Sequence, residues 1–171
     1  PYYRDVMQKR NHVLAWEPTL PVYESGIGPR IDPFIRPLLP SWGMVDPIGV
    51  QDIKKFRAER FPDPRSNVFW DDVKLIQELG GTKSQNRTDD EAHIAFFWED
   101  GPRGATPGGH FIIIGAQLLQ GRIDTYDMAR AMALMGMASG DAGISAWDSK
   151  YTDDIVRPET VIRRRAYTIP G

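Results

Sequence analysis

Seven prolines fall between Pro18 and Pro47. Each fixes φ and removes a backbone N–H, so prolines at this spacing permit neither a helix nor a central strand. The sequence therefore predicts a short opening helix over Tyr3 to Ala15, followed by an irregular, proline-rich arm. The arm occupies residues 1–47, and regular structure is left to 48–171. Phe34, Ile35, Leu38, Leu39 and Trp42 give the arm more apolar surface than an extended segment can bury alone. They are expected to pack across another part of the fold or a partner.

Beyond the arm, the start and stop signals are helical. Asp46-Pro47 reads as an N-cap with proline at the first helical position, predicting a helix to about Arg60 with Val50, Ile53 and Phe56 on one face. Phe61-Pro62-Asp63-Pro64 stops it. Ser66 caps a second helix, ended at Gly80-Gly81, whose Phe69, Val73, Ile76 and Leu79 recur at helical spacing. Thr88 and Glu91 form a capping box, and the helix they open ends near Asp100-Gly101-Pro102. His110 to Leu119 is predicted as a helix. Its Ile112-Ile113-Ile114 run fits a strand by propensity alone, but its neighbours favour helix. Asp124 caps a long segment rich in Met and Ala that reaches toward Val156, and its Met stripe reads as core filling. Gly140 and Gly143 permit close approach or a break along it. Pro158 is expected to end this helix, with a short helical turn over Glu159 to Arg165 after it. The predicted class is all-α, a helical bundle.

A net charge of −2 over 171 residues, with the basic side chains scattered, argues against nucleic-acid binding. Arg163-Arg164-Arg165 reads as a solvated face. The absence of cysteine excludes disulfides and thiolate chemistry and leaves the compartment open, with a secreted or periplasmic location the leaning. No apolar run approaches the roughly 20 residues of a spanning helix. His12, His93 and His110 have no metal-ligand spacing and read as structural histidines.

The chemistry concentrates near the end of the sequence. Lys150 and Arg157 are seven positions apart, about two turns of a continuous helix, which would put both cations on one face with Trp147 and Asp154. Arginine offers a planar fork and lysine a compact charge, a pairing that suits a phosphate-like anion. The plainer reading is a solvated helix face with Asp153 and Asp154 as ion-pair partners.

Lys150, six residues, then Arg157-Pro158 resembles the first signature of the type 2 phosphatidic acid phosphatase superfamily, which includes the vanadium-dependent haloperoxidases. Asp141-Ala142-Gly143-Ile144, Trp147, Lys150 and Arg157-Pro158 together resemble the bacterial chloroperoxidase-like branch of those enzymes. Phe97-Trp98-Glu99-Asp100-Gly101 and Thr106-Pro107-Gly108-Gly109-His110 extend the likeness, which runs from about Trp42 to Arg163. The resemblance implies a helical bundle holding vanadate, with phosphate able to substitute. Lys150 and Arg157 would bind its equatorial oxygens and carry its catalytic role, and Trp147 would line the pocket. The implied reaction is oxidation of halide by hydrogen peroxide.

The family's two further signatures supply an acid–base histidine and a vanadium-binding histidine, both after Arg-Pro, and neither is present through Gly171. Gly109-His110 lies upstream and is not their equivalent. The expectation is a processed product, starting at Pro1 rather than Met, that works with a C-terminal segment or second chain of the same precursor in a homo- or hetero-oligomer. An acid phosphatase using the same pocket and a non-catalytic helical scaffold are the competing readings.

Overall fold

The computed structural model describes residues 15–16, 37–101 and 104–168, with side chains in the last helix described through Arg164. The helix expected over Tyr3 to Ala15 lies outside the described residues apart from Ala15. Among the described residues there are five α-helices: α1 Asn67–Gly80, α2 Asp89–Trp98, α3 Thr106–Leu119, α4 Thr125–Asp153 and α5 Pro158–Thr168. Among the described residues there is no strand, only a single antiparallel bridge between Ala15 and Ile155. The fold is all-α, as its sequence predicts.

The local capping signals act as expected. The Ser66 hydroxyl accepts from the Phe69 N–H. Thr88 and Glu91 satisfy each other's backbone N–H groups, and three acidic residues occupy the first turn of α2, where the helix dipole favours negative charge. Asp124 accepts from the Asp127 N–H at 2.8 Å and opens α4. The isoleucine run is helical and α3 begins at Thr106, four residues before the expected start, with Pro107 in its first turn. Gly81 ends α1 with φ −67°, so this terminus does not use the left-handed freedom of glycine.

The chain divides into two units. One comprises Glu59–Asn86 and the residues from Lys150 onward, with 15–16 and 37–41. Its core is Phe69 and Val73 of α1 against Val156 and Val161, all at most 9% exposed. Trp70 meets Phe69 edge-on at 5.2 Å, and Phe61 and Ile162 close the periphery. Burying each aliphatic or aromatic side chain here stabilises by roughly 1.5–3 kcal/mol. Arg163 pairs with Glu159 at 2.6 Å on the solvent side of α5, and Arg164 is exposed, as expected for a solvated face.

The second unit comprises Trp42–Ala58 and Arg87–Ser149. The helix expected from Pro47 to Arg60 is not there. Trp42–Met44 and Ile53–Phe56 are 3₁₀ turns, and the rest of the segment is irregular. The cause is Asp141 on α4. Its carboxylate accepts the N–H groups of Ile48, Gly49 and Val50 at 2.6, 2.7 and 3.2 Å. Three successive amides aimed at one carboxylate are not free to build a helical ladder. Further along, the Ser145 hydroxyl donates to the Phe56 carbonyl and Ser149 accepts from the Ala58 N–H. Arg57 clasps Asp148 through two bonds of 2.7 and 2.9 Å.

The loop requires glycine where it passes closest to α4: a Cβ on Gly43 would stand 2.5 Å from the Asp148 nitrogen, whereas one on Gly140 would make only ordinary contact with Ile48 at 3.5 Å. Met132 and Met135 pack beside Gly115 of α3, so the Met stripe fills gaps between helices. His110 is structural as well. Its Nδ1 lies 2.9 Å from Asp100 Oδ1, and Phe97, Trp98 and Phe111 surround the ring. That contact ties the Phe97–Gly101 segment to the Thr106–His110 segment.

Candidate oxyanion site

Lys150 and Arg157 do not share a helix. α4 ends at Asp153, and the Asp154 N–H makes the last helical bond, to the Lys150 carbonyl at 3.1 Å. Asp154 then takes φ +46°, in the left-handed region that aspartate and asparagine tolerate better than most residues. Pro158 has no N–H to give to a continuing helix and holds Arg157 out of helical conformation. Pro158 therefore opens α5 instead of ending α4, and the Arg157 carbonyl accepts from the Thr160 and Val161 N–H groups. The one-face argument from helical spacing is replaced by a break that sets one cation on each helix.

The break still brings the two cations to one place. Lys150, Asp154 and Arg157 line a single cavity of about 40 Å³ with Trp16, Pro37, Leu38, Tyr151 and Ile155. One buried water needs roughly 10–15 Å³ on this measure, so the space suits a compact anion or a few waters. The Lys150 ammonium sits 5.7 Å from the Tyr151 ring centroid, within range of a cation–π contact.

Desolvation, and secondly the charge of Arg157, hold the Lys150 pKa below the ordinary lysine range. Lys150 remains solvent-exposed as a residue, so water screens part of this repulsion. A bound anion would relieve both causes.

The arm completes the cavity. The Tyr151 hydroxyl donates to the Leu38 carbonyl at 2.7 Å, and the Trp16 N–H donates to the Asp154 carbonyl at 3.2 Å beside the Ala15–Ile155 bridge. Residues 15–16 and 37–38 of the arm thus meet the break between α4 and α5 through backbone groups, while Leu38 and Leu39 stay half-exposed and Phe34 and Ile35 lie outside the described residues. Trp16 as a lining residue has no signal in the sequence, whereas Asp154 is expected near the two cations and Tyr151 follows directly from its place beside Lys150.

Trp147 lies on α4 within the other unit, half-buried, and is not among the residues lining this cavity. Asp141, expected to meet a neighbouring helix or an arginine, instead holds three loop amides. Those N–H bonds, that of Ile48 foremost, lower its pKa against the opposing effect of burial. Among the described residues no cluster of His, Cys, Asp or Glu is arranged to hold a metal ion, and no helix is long and apolar enough to cross a membrane.

The VCPO second helical-bundle domain family matches residues 130–170, the stretch that contains both cations and the break between them. The structure also matches a solved bacterial vanadium-dependent iodoperoxidase with a TM-score of 0.57 at 24% sequence identity. The chain is vanadium haloperoxidase-like in fold. The match covers 92% of this chain and 38% of the iodoperoxidase chain, so the present chain spans well under half the length of that relative. No curated protein matches the sequence.

Proposed function

We propose that this chain supplies the lysine–arginine part of a vanadate site in a vanadium-dependent haloperoxidase, an enzyme that oxidises halide with hydrogen peroxide. The observation that carries this reading is the convergence of Lys150 and Arg157, from two helices, on one small cavity. The residues fit the group: two cations at partial desolvation favour an anion, and Lys150 is already destabilised by its neighbour's charge. Vanadate, when bound, supplies the Lewis-acid centre at which peroxide is activated. Lys150 offers its ammonium donors and Arg157 a planar fork to the oxygens of the anion, and both draw charge from it. The Tyr151–Leu38 bond and the Trp16–Asp154 bond keep the arm over the cavity and restrict water. Phosphate would occupy the same place.

The remaining acid–base and metal-binding histidines would come from a further segment or chain, which makes the site composite. Large apolar side chains left open to solvent support such a partner. Phe96 is 80% exposed, and Leu75, Ile94 and Leu118 are also exposed.

Vanadate titration of the intact protein, followed by iodide, bromide and chloride oxidation assays with hydrogen peroxide, tests the reading. Halide oxidation that rises with vanadate is expected. Lys150→Ala and Arg157→Ala should each weaken vanadate binding by about tenfold or more, the scale of one charge-assisted contact. Phosphomonoesterase activity without halide oxidation would replace this function with the phosphatase. Unchanged vanadate affinity in both variants would leave a scaffold.

The depressed Lys150 pKa adds a pH test. The ammonium loses its proton at lower pH than an ordinary lysine. Oxyanion affinity should therefore fall, as pH rises through that value, relative to a Lys150→Arg variant that stays charged. Parallel affinity profiles for the two proteins would remove Lys150 from the site.

A further inference from the structure

Lys150 lies in the last turn of α4 and is exposed. A lysine stem has many conformations open to it, and ordering such a side chain each time an anion binds weakens the binding. A neighbour that holds the ammonium in place beforehand removes that cost. Successive helix positions point about 100° apart, so residues i and i+1 do not face each other by default. The Lys150 ammonium nevertheless lies over the Tyr151 ring, 5.7 Å from its centroid. Its stem reaches that place only by folding toward the ring. The ring is itself fixed. Tyrosine turns about two side-chain bonds, and the Tyr151 hydroxyl is pinned at the far end, donating to the Leu38 carbonyl at 2.7 Å. Both Lys150 and Tyr151 line the cavity that Arg157 shares.

We propose that Tyr151 is a positioning residue of the oxyanion site: its bond to Leu38 sets the ring, and the face of the ring sets the Lys150 ammonium. This rests on the oxyanion reading of the cavity and adds to it the side chain that readies one of the two cations. An aromatic face suits the task better than a carboxylate would. It attracts a cation through its quadrupole yet carries no net charge, so the full positive charge stays available to the anion. It also works against the two influences that disfavour the ammonium here, desolvation first and the charge of Arg157 second. The same side chain ties residue 38 of the arm to the cavity, so removing the ring and removing the hydroxyl are separable changes.

The test is isothermal titration of the intact protein with inorganic phosphate and with orthovanadate. It compares wild type, Tyr151→Phe, Tyr151→Leu, Lys150→Met and the Tyr151→Leu/Lys150→Met double variant. Leucine keeps apolar bulk but has no ring face. Tyr151→Leu should weaken both anions by about fivefold, the ordering cost of one long side chain. Tyr151→Phe keeps the face and should stay within about twofold of wild type. With Lys150→Met in place, Tyr151→Leu should change affinity by less than about twofold, because the lysine it readies is gone. A tyrosine that only supported the fold would carry the same penalty in both backgrounds. NMR of the lysine ε-methylene signals gives a second readout. The Lys150 signal should be displaced by the ring current in wild type and Tyr151→Phe, and not in Tyr151→Leu. This readout decides if a variant binds too weakly or folds too poorly for titration. An undisplaced Lys150 signal in wild type overturns the role of Tyr151. So does a Tyr151→Phe loss equal to that of Tyr151→Leu, or a Tyr151→Leu penalty that survives Lys150→Met. Each of these leaves a Lys150-dependent oxyanion site standing. Absence of binding in wild type, or binding indifferent to Lys150→Met, overturns the oxyanion reading and the role of Tyr151 with it.

Discussion

Asp141 and Asp154 stand thirteen residues apart, the first within α4 and the second just past its end, and their surroundings are opposite. Asp141 is 6% exposed and accepts three backbone N–H groups. Asp154 has one carboxylate oxygen buried with no donor. The first is a satisfied polar group that fixes a loop. The second sits in the turn between the two helices and lines one cavity with Lys150 and Arg157. Satisfied buried polar groups specify structure. Asp141 fixes its loop through its side chain, whereas Asp154 serves the break between α4 and α5 through its backbone.

Substitution at each position should break or sharpen that contrast. Asp141→Asn replaces an acceptor-only carboxylate by an amide whose donors face three N–H groups. It should lower the melting temperature by roughly 10 °C, from losses of hydrogen bonds to a charged group in a chain of this size. The Asp141 pKa is lowered in the native state, so its stabilisation is complete above the ordinary carboxylate pKa and is lost as pH falls through the native value. The acid limb of the stability profile should flatten in Asp141→Asn, while oxyanion affinity stays unchanged. Arg57→Ala removes a partly exposed bidentate pair with Asp148 and should cost about 1 kcal/mol in chemical denaturation. Asp154→Asn should change stability by less than about 0.5 kcal/mol, since asparagine tolerates the same left-handed turn. A destabilisation by Asp154→Asn as large as that by Asp141→Asn would erase the distinction.

The same pair of regions shows what the sequence reveals. Ser66, the Thr88–Glu91 box and Asp124 are legible because a cap and its partner lie three residues apart. The segment after Pro47 is misread because what governs its backbone, Asp141, is more than ninety residues away. Local capping chemistry at Asp46-Pro47 carries no trace of that competitor. Lys150 and Arg157 are legible as a pair, yet helical spacing gives the wrong geometry for them. Pro158 is legible as the end of a helix, but that break is incompatible with one continuous face, and the residue starts a new helix as readily as it ends an old one. Trp16 and Leu38 reach the cavity from the arm through backbone bonds, which side-chain patterns do not encode.

The central claim is that the break between α4 and α5 makes an oxyanion site. A crystal of the intact protein soaked with orthovanadate tests it most directly, through anomalous scattering from vanadium. The account predicts a single strong peak in the cavity lined by Lys150, Asp154 and Arg157, with oxygens within hydrogen-bond distance of both cations. An ordered vanadate elsewhere, with this cavity holding only water at saturating vanadate, would contradict it.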